Sequence, residues 1–449
     1  METIRENRPV THNTQERTVF YILMSVLIGA IFGRNIIHLP IPVILFLALA
    51  GCIAVFGGKN EIVAMIICCI PLSTAFQYKY ALFLCIAIYY IKYPKDFKIT
   101  VVLLPLICMM LWEMLHGFQW DLSIYEYFRG FAELIACTFL MSLRSKDFDY
   151  AFICRMLAVC AVSMMFVVLL NLLDAANYDF EAIFTGSYRF GVGDATAENF
   201  GVNYNPNSLG FICNLSIVGL LQLIIAKKQT WTDYLFIILL IFFGFMTMSR
   251  AFLLCFAAIF GLTVFAGKVK WSERILRIAG IIIFMLVVVL AIWLFMPTVF
   301  EKFLDRFIKE EDISNGRIDL FAFYNQHIFS KFEYWFFGIG LQDIEGKMVH
   351  LYGDIGDVLH NGPQELIVVW GFPGLMCFIW WVMLLVSSAK NEKKYRFEQF
   401  LPLILIFLQV QFGQLISSGI ALLSFSFAYL SLCFSNEEKG HEKDFQKNY

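Results

Sequence analysis

Charge is what this chain has little of. Only 16% of its 449 residues are Asp, Glu, Lys or Arg, against 59% hydrophobic, and the mean hydropathy is +0.71. Soluble domains carry about 25% charged residues, so the composition argues against a water-soluble globular protein. The formal net charge of −2 gives no support to a nucleic-acid partner. Proline is scarce, at 11 residues beside 48 Phe, which removes the disordered and collagen-like classes. Of the 12 Cys, none lies in the two long polar stretches, Asp174–Asn203 and Glu301–Asn361, where a secreted disulfide framework would put them. Cys68–Cys69 is not a CxxC pair and no zinc spacing occurs, so the cysteines read as small hydrophobes within helices. No cleavable signal peptide is expected, because the first 18 residues are polar, carry Arg5, Arg8 and Arg17, and lead to no small-residue cleavage site.

What remains is apolar sequence in runs of about 17–25 residues, the length that crosses a bilayer core of about 30 Å as helix. These runs predict an all-α, polytopic integral membrane protein with about fourteen transmembrane helices. The spans fall near 19–33, 36–56, 61–77, 80–93, 98–117, 121–143, 148–172, 206–226, 231–248, 251–267, 276–297, 363–388, 400–417 and 419–434. The expected organisation is seven N-terminal spans over 1–173, an external loop over 174–205, and further spans over 206–297. A large external loop over 298–362, C-terminal spans over 363–434 and a tail over 435–449 complete it.

Loop charges fix an expected orientation. With the N-terminus inside, the cytoplasmic segments hold Arg5, Arg8, Arg17, Lys59, Lys92, Lys95, Lys98, Arg144, Lys146, Lys227, Lys228, Lys268, Lys270, Arg274, Arg277 and the lysines and arginine of 390–396. The short external loops hold only Arg34, Lys79 and Arg250. This asymmetry is what the positive-inside rule requires, and it puts both termini in the cytoplasm.

The two long external segments differ from simple connectors. The first is rich in Gly, Asn and acidic residues. The second begins with an apolar stripe at 300, 303, 304 and 307. A further helical stretch follows from Arg317 to Phe329, then the aromatic run Tyr334-Trp335-Phe336-Phe337 and Gly338-Ile339-Gly340. Amphipathic helices with aromatic edges suit a membrane interface.

Several side chains carry possible chemistry. Arg189, Arg250 and Arg317 all fall on the external side, and guanidinium offers a fork of donors that fits phosphate oxygens. Arg250 has a plainer reading as a snorkelling residue at a helix end, and Arg189 and Arg317 as solvated loop charges. His360 precedes Asn361-Gly362-Pro363-Gln364-Glu365 and a long apolar run. Asn361 is the expected N-cap, Pro363 suits the first turn, and Glu365 suits an acidic first turn. His360 is thus expected at the amino end of a transmembrane helix, where the dipole disfavours imidazolium and leaves a neutral general base. The plainer reading is a structural or merely exposed loop histidine. His327 and His350 share the loop, but their spacing matches no metal pattern, and no metal is expected. Within the sixth span, Arg129 and Glu133 suggest an i,i+4 ion pair beside Glu126. Gln409, Gln411 and Gln414 suggest inter-helix hydrogen bonds.

His360-Asn361, nine residues, Gly371, two residues, Gly374 reads HN-x9-GxxG, and this resembles the signature of the O-antigen ligase and Wzy-type polysaccharide polymerase superfamily. Ser249-Arg250-Ala251-Phe252-Leu253-Leu254 resembles that family's Ser-Arg start of a span. Arg317 followed by Gly338-Ile339-Gly340 resembles its Arg…GxG stretch, and Arg189 with Asn205-Pro206-Asn207 its shorter external loop. The likeness covers about 189–374. It implies a membrane glycosyltransferase of the bacterial cytoplasmic membrane, inverting, with no nucleotide, metal or other cofactor. The implied donor and acceptor are undecaprenyl-diphosphate-linked oligosaccharides, joined outside the cytoplasm in capsule or O-antigen synthesis, with membrane lipid and a chain-length regulator as further partners. On this reading Arg189, Arg250 and Arg317 bind the diphosphate, His360 is the base, and Asn361 and Glu365 orient His360 or the acceptor. The number of spans favours a repeat-unit polymerase over a ligase. A flippase is the reading from another class, and it should carry charges at mid-depth and pseudo-symmetric halves, which are not seen.

Overall fold

The computed structural model describes residues 14–73, 75–120, 124–145, 148–179, 205–266, 270–295, 297–304, 317–341, 360–389, 396–416 and 419–434. Long runs of Leu, Ile, Phe, Val and Ala must satisfy their backbone groups internally when water is absent, and helices do so within one segment. The helices are α1 (Thr14–Asn35), α2 (Val43–Phe56), α3 (Lys59–Leu72), α4 (Tyr78–Lys92), α5 (Leu103–Trp120), α6 (Ile124–Gly130), α7 (Ala132–Met141), α8 (Tyr150–Ala175) and α9 (Pro206–Ile225). They continue with α10 (Trp231–Met246), α11 (Arg250–Thr263), α12 (Trp271–Phe295), α13 (Pro297–Leu304), α14 (Arg317–Ile328), α15 (Phe332–Phe337), α16 (Gly362–Ser388), α17 (Leu401–Gln409) and α18 (Ile420–Cys433). Among the described residues there is no strand, only an isolated bridge between Phe97 and Leu143.

The all-helical expectation therefore holds, and each of the fourteen expected segments contains helix. The count of crossings holds only in part. Among the described residues, four helices, α1, α8, α9 and α16, are long and apolar enough to cross a membrane, and seven more are apolar but shorter. A helix of 14–16 residues covers about 21–24 Å, less than the core of about 30 Å. Two expected spans are also interrupted. The sixth breaks at Phe131 between α6 and α7, and the thirteenth ends at Gln409 rather than 417. The expected helix near 300–308 is present as α13, which ends at Leu304, and the remainder lies outside the described residues.

The centre of the bundle is α3, α7, α9 and α18, whose residues are almost wholly buried. Around it, α8 packs on α3 and α9, α11 on α9, and α5 on α16. The periphery exposes large apolar side chains, such as Ile22, Val55, Ile238 and Leu286. Apolar side chains gain little by leaving lipid tails, so close packing and polar contacts hold such helices together. At Gly244 a Cβ would fall 2.2 Å from the Phe252 ring, so α10 and α11 touch only because that side chain is absent. Asn214 Nδ2 donates to Phe252 O at 3.0 Å, and Trp381 Nε1 to Thr138 Oγ1 at 2.9 Å.

The helix ends fall into two groups, and the contacts join ends that an alternating path puts on one side. At the basic end Arg17 meets Asp149 at 3.0 Å and Glu61 at 3.4 Å. Lys59 pairs with Asp96, and Arg155 grips Asp233 through Nε at 3.0 Å and Nη2 at 3.1 Å. The opposite end carries His360.

Candidate functional site

Three helix amino ends come together around His360, and a fourth is tied to them through Asn207. Asn205, the N-cap of α9, accepts from Asn207 N at 2.8 Å through its side chain. Ser249, the N-cap of α11, accepts from Phe252 N at 3.2 Å and donates to Asn207 Oδ1 at 2.7 Å. Asn361 caps α16 by accepting from Gln364 N at 3.0 Å, as its position in the sequence predicts. The start of α18 completes the set, with Ile420 and Ala421 on the same recess. Asn205, Asn207, His360, Gln409, Gly413 and Gln414 line that recess, whose volume is about 30 Å³. Such a space holds one or two waters, or one hydroxyl group, but no sugar.

Amino ends of helices present partial positive charge and unpaired N–H groups. Their convergence favours an anion beside half-buried His360. One carboxyl end, that of α17 at Gln409, opposes them in part. Arg250 is the first residue of α11, directly after the serine bonded to recess-lining Asn207. Gln409 bridges α17 to α9 and α11, donating to Asn207 O at 3.5 Å while accepting from Cys255 Sγ at 3.5 Å. Gln411 instead bonds back within its own segment, to Phe407 O at 3.3 Å.

Glu365 is buried, and its Oε2 accepts from Leu415 N at 2.6 Å and Ile416 N at 2.9 Å. Gly362 N donates to Val410 O at 2.7 Å. The first turn of α16 thus holds the 410–416 turn, which supplies Gly413 and Gln414 to the recess. Glu365 acts through that backbone.

The glycine pieces of the sequence pattern interlock. At Gly371, φ is 65° and ψ is −170°, a conformation open to Gly alone, and the helical run of α16 breaks there. The break frees carbonyls of the preceding turn. Ile339 N donates to Val368 O and Gly340 N to Val369 O, each at 2.8 Å. A Cβ at Gly371 would stand 2.0 Å from Phe336 O, so GxG and GxxG are two faces of one contact. Tyr324, Ile328, Ile339 and Val368 form a small core beneath it. Gln364 Nε2 ties α14 to α16 by donating to Phe321 O at 2.9 Å and Asn325 Oδ1 at 3.0 Å. This places α14, which Arg317 begins, against the helix that His360 precedes.

A further cluster holds this contact, and the sequence reading passed over it. On α5, Glu113 Oε1 accepts from Leu341 N at 2.8 Å and Oε2 from Trp370 Nε1 at 2.9 Å. Trp112 Nε1 donates to Trp370 O at 2.8 Å, and His116 Nε2 lies 2.9 Å from Phe337 O. The signal was present: a Glu and a His three residues apart in an apolar run are costly unless paired.

Other expectations are corrected. Arg129 and Glu133 lie on separate helices, α6 and α7, so they do not form a pair within one helix. Glu133 accepts from Tyr78 and meets Lys79 at 3.1 Å. His327 stacks on Phe323 at 3.9 Å with Nδ1 2.9 Å from Phe323 O, a structural role. Arg189 and His350 lie outside the described residues, and so does the side chain of Arg317. No family model and no curated protein matches the chain.

Proposed function

We propose that this chain is a membrane glycosyltransferase that polymerises undecaprenyl-diphosphate-linked oligosaccharide repeat units on the outer face of the bacterial cytoplasmic membrane. The observation that carries the reading is the convergence of the amino ends of α9, α16 and α18 on a recess lined by His360, with the amino end of α11 and its Arg250 tied to that recess through the bond from Ser249 to Asn207. Those ends and the guanidinium groups of Arg189, Arg250 and Arg317 neutralise charge developing on the leaving diphosphate. The acceptor hydroxyl oxygen attacks the anomeric carbon as the bond to the diphosphate oxygen breaks. The hydroxyl proton passes to His360, the general base. Asn361 and Glu365 position His360 and the 410–416 turn. The grouping of basic residues at the far end of the bundle supports cytoplasmic termini.

The test is polymer formation by the purified protein from a defined lipid-linked repeat unit. His360→Ala, made as stably as the parent, is expected to lower the rate by about 10²–10⁴-fold, the usual contribution of a general base. An unchanged rate overturns the assignment. A product with one block transferred to a different lipid acceptor marks a ligase instead. In cells, deletion that traps single repeat units inside marks a flippase.

A further inference from the structure

At the basic end, a cleft of about 480 Å³ opens between α5, α7 and α16, lined by Lys98, Thr100, Val102, Ser142, Arg144 and Ser388 among others. Its rim is built by main-chain bonds. Lys98 N donates to Ser142 O at 3.0 Å, and Arg144 N to Asp96 O at 2.7 Å. This bridge holds Phe97 extended at the rim. Lys98, Thr100 and Val102 face the cleft, while Ile99 and Val101 project outward at 80% and 63% exposure.

Three features bear on what the cleft takes. Lys98 and Arg144 are exposed at its rim, and the neighbouring acid, Asp96, is already paired with Lys59. Thr100 Oγ1 is buried and makes no hydrogen bond among the described residues, so a donor awaits an acceptor. The carboxyl ends of α7 and α16 also border the cleft, so the two cations and not the helix dipoles give it positive sign. Phosphate oxygens suit this set. A free phosphate would have no use for exposed Ile99 and Val101, whereas a lipid lays its acyl chains along such side chains.

We propose that this cleft binds the headgroup of an anionic phospholipid, with phosphate on Lys98, Arg144 and Thr100 and acyl chains along Ile99 and Val101. The site lies at the far end of α16 from His360, 27 residues along and beyond the break at Gly371. It stands independently of the glycosyltransferase reading.

The experiment is native mass spectrometry of the full-length protein titrated with phosphatidylglycerol or phosphatidylcholine. The parent is expected to prefer phosphatidylglycerol. Lys98→Gln with Arg144→Gln is expected to weaken phosphatidylglycerol binding by about 10–30-fold, since one cation near an anionic surface contributes about 1 kcal/mol, and to leave phosphatidylcholine unchanged. Both side chains are exposed, so folding should survive, and Thr100→Val gives a second, smaller loss at a single hydroxyl. Equal phosphatidylglycerol binding by parent and double variant overturns the site. Displacement of the lipid by millimolar inorganic phosphate or glycerol phosphate would assign the cleft to a soluble phosphate ester and overturn the lipid.

Discussion

The two ends of the bundle bury polar groups by different means. At the basic end charge meets charge: Arg17 with Glu61 and Asp149, Lys59 with Asp96, Arg155 with Asp233. At the His360 end Lys79 meets Glu133, but most of the work falls to side chains bonded to backbone, with Glu365 on Leu415 and Ile416, Glu113 on Leu341, and Asn361 on Gln364. Paired ions lock loops and leave little free field. Caps and carboxylates on main-chain amides place helix ends around a space and leave their dipoles aimed into it. Damage at the basic end should therefore lower stability alone, while damage at the His360 end should lower stability and activity together.

The largest effect is expected at Gly371. A side chain there must leave the left-handed region and clear Phe336 O, which a Cβ would approach to 2.0 Å. Strain of about 1–3 kcal/mol adds to loss of the bonds to Ile339 and Gly340. Gly371→Val should lower the thermal midpoint of the purified protein sharply and abolish polymer formation. A variant with parental midpoint would show that the break is not a fixed element of the fold.

Next comes Glu365. Glu365→Ala strands two buried amides, each worth about 1–3 kcal/mol, whereas Glu365→Gln keeps one acceptor oxygen. The order of thermal midpoints should be parent, Gln, Ala. Because the 410–416 turn lines the recess, activity measured well below the midpoint should fall in the same order. Equal activity in all three would separate the turn from the chemistry.

The matching probe of the basic end is Arg155→Ala. Asp233 is buried and loses a two-pronged partner, although it keeps Thr230 N at 2.7 Å. A loss of about 1–3 kcal/mol in unfolding experiments is expected, as for hydrogen bonds to charged groups. Polymer formation should be unchanged below the midpoint. A fall in activity would mean that the two ends are coupled.

The contrast between ends was partly legible in the sequence. Lysine and arginine placement separated the ends, and the cap at Asn361 followed from Asn-Gly-Pro before an apolar run. Periodicity found helix in every expected segment, but it could not give the lengths, because the apolar runs continue on both sides of the breaks at Phe131 and Gly371. Gly371-Phe372-Pro373 did carry the second break as a glycine and a proline two residues apart. Glu113 and His116 escaped notice because their partners, at 337–341 and Trp370, are more than two hundred residues away. Such pairing is a tertiary fact with no local period. The meeting of Ser249, Asn207 and His360 was legible only as a shared external side, not as a contact.

The smallest effect is expected where the basic end looks most heavily bonded. Arg17 reaches Asp149 and Glu61 and lies 4.1 Å from the centre of the Phe152 ring. Yet both acids have other partners. Glu61 Oε2 accepts from Gly58 N at 3.1 Å, and Asp149 Oδ1 from Phe152 N at 3.1 Å. Removing the guanidinium leaves neither carboxylate without a donor, and Arg17 is itself partly exposed, so salt and water screen the pair. Arg17→Gln should cost below about 1 kcal/mol, and the difference from the parent should shrink further as salt is raised. A larger, salt-independent loss would show that water does not reach this triad. The basic end would then hold its charges in the same dry manner as the opposite end holds its amides.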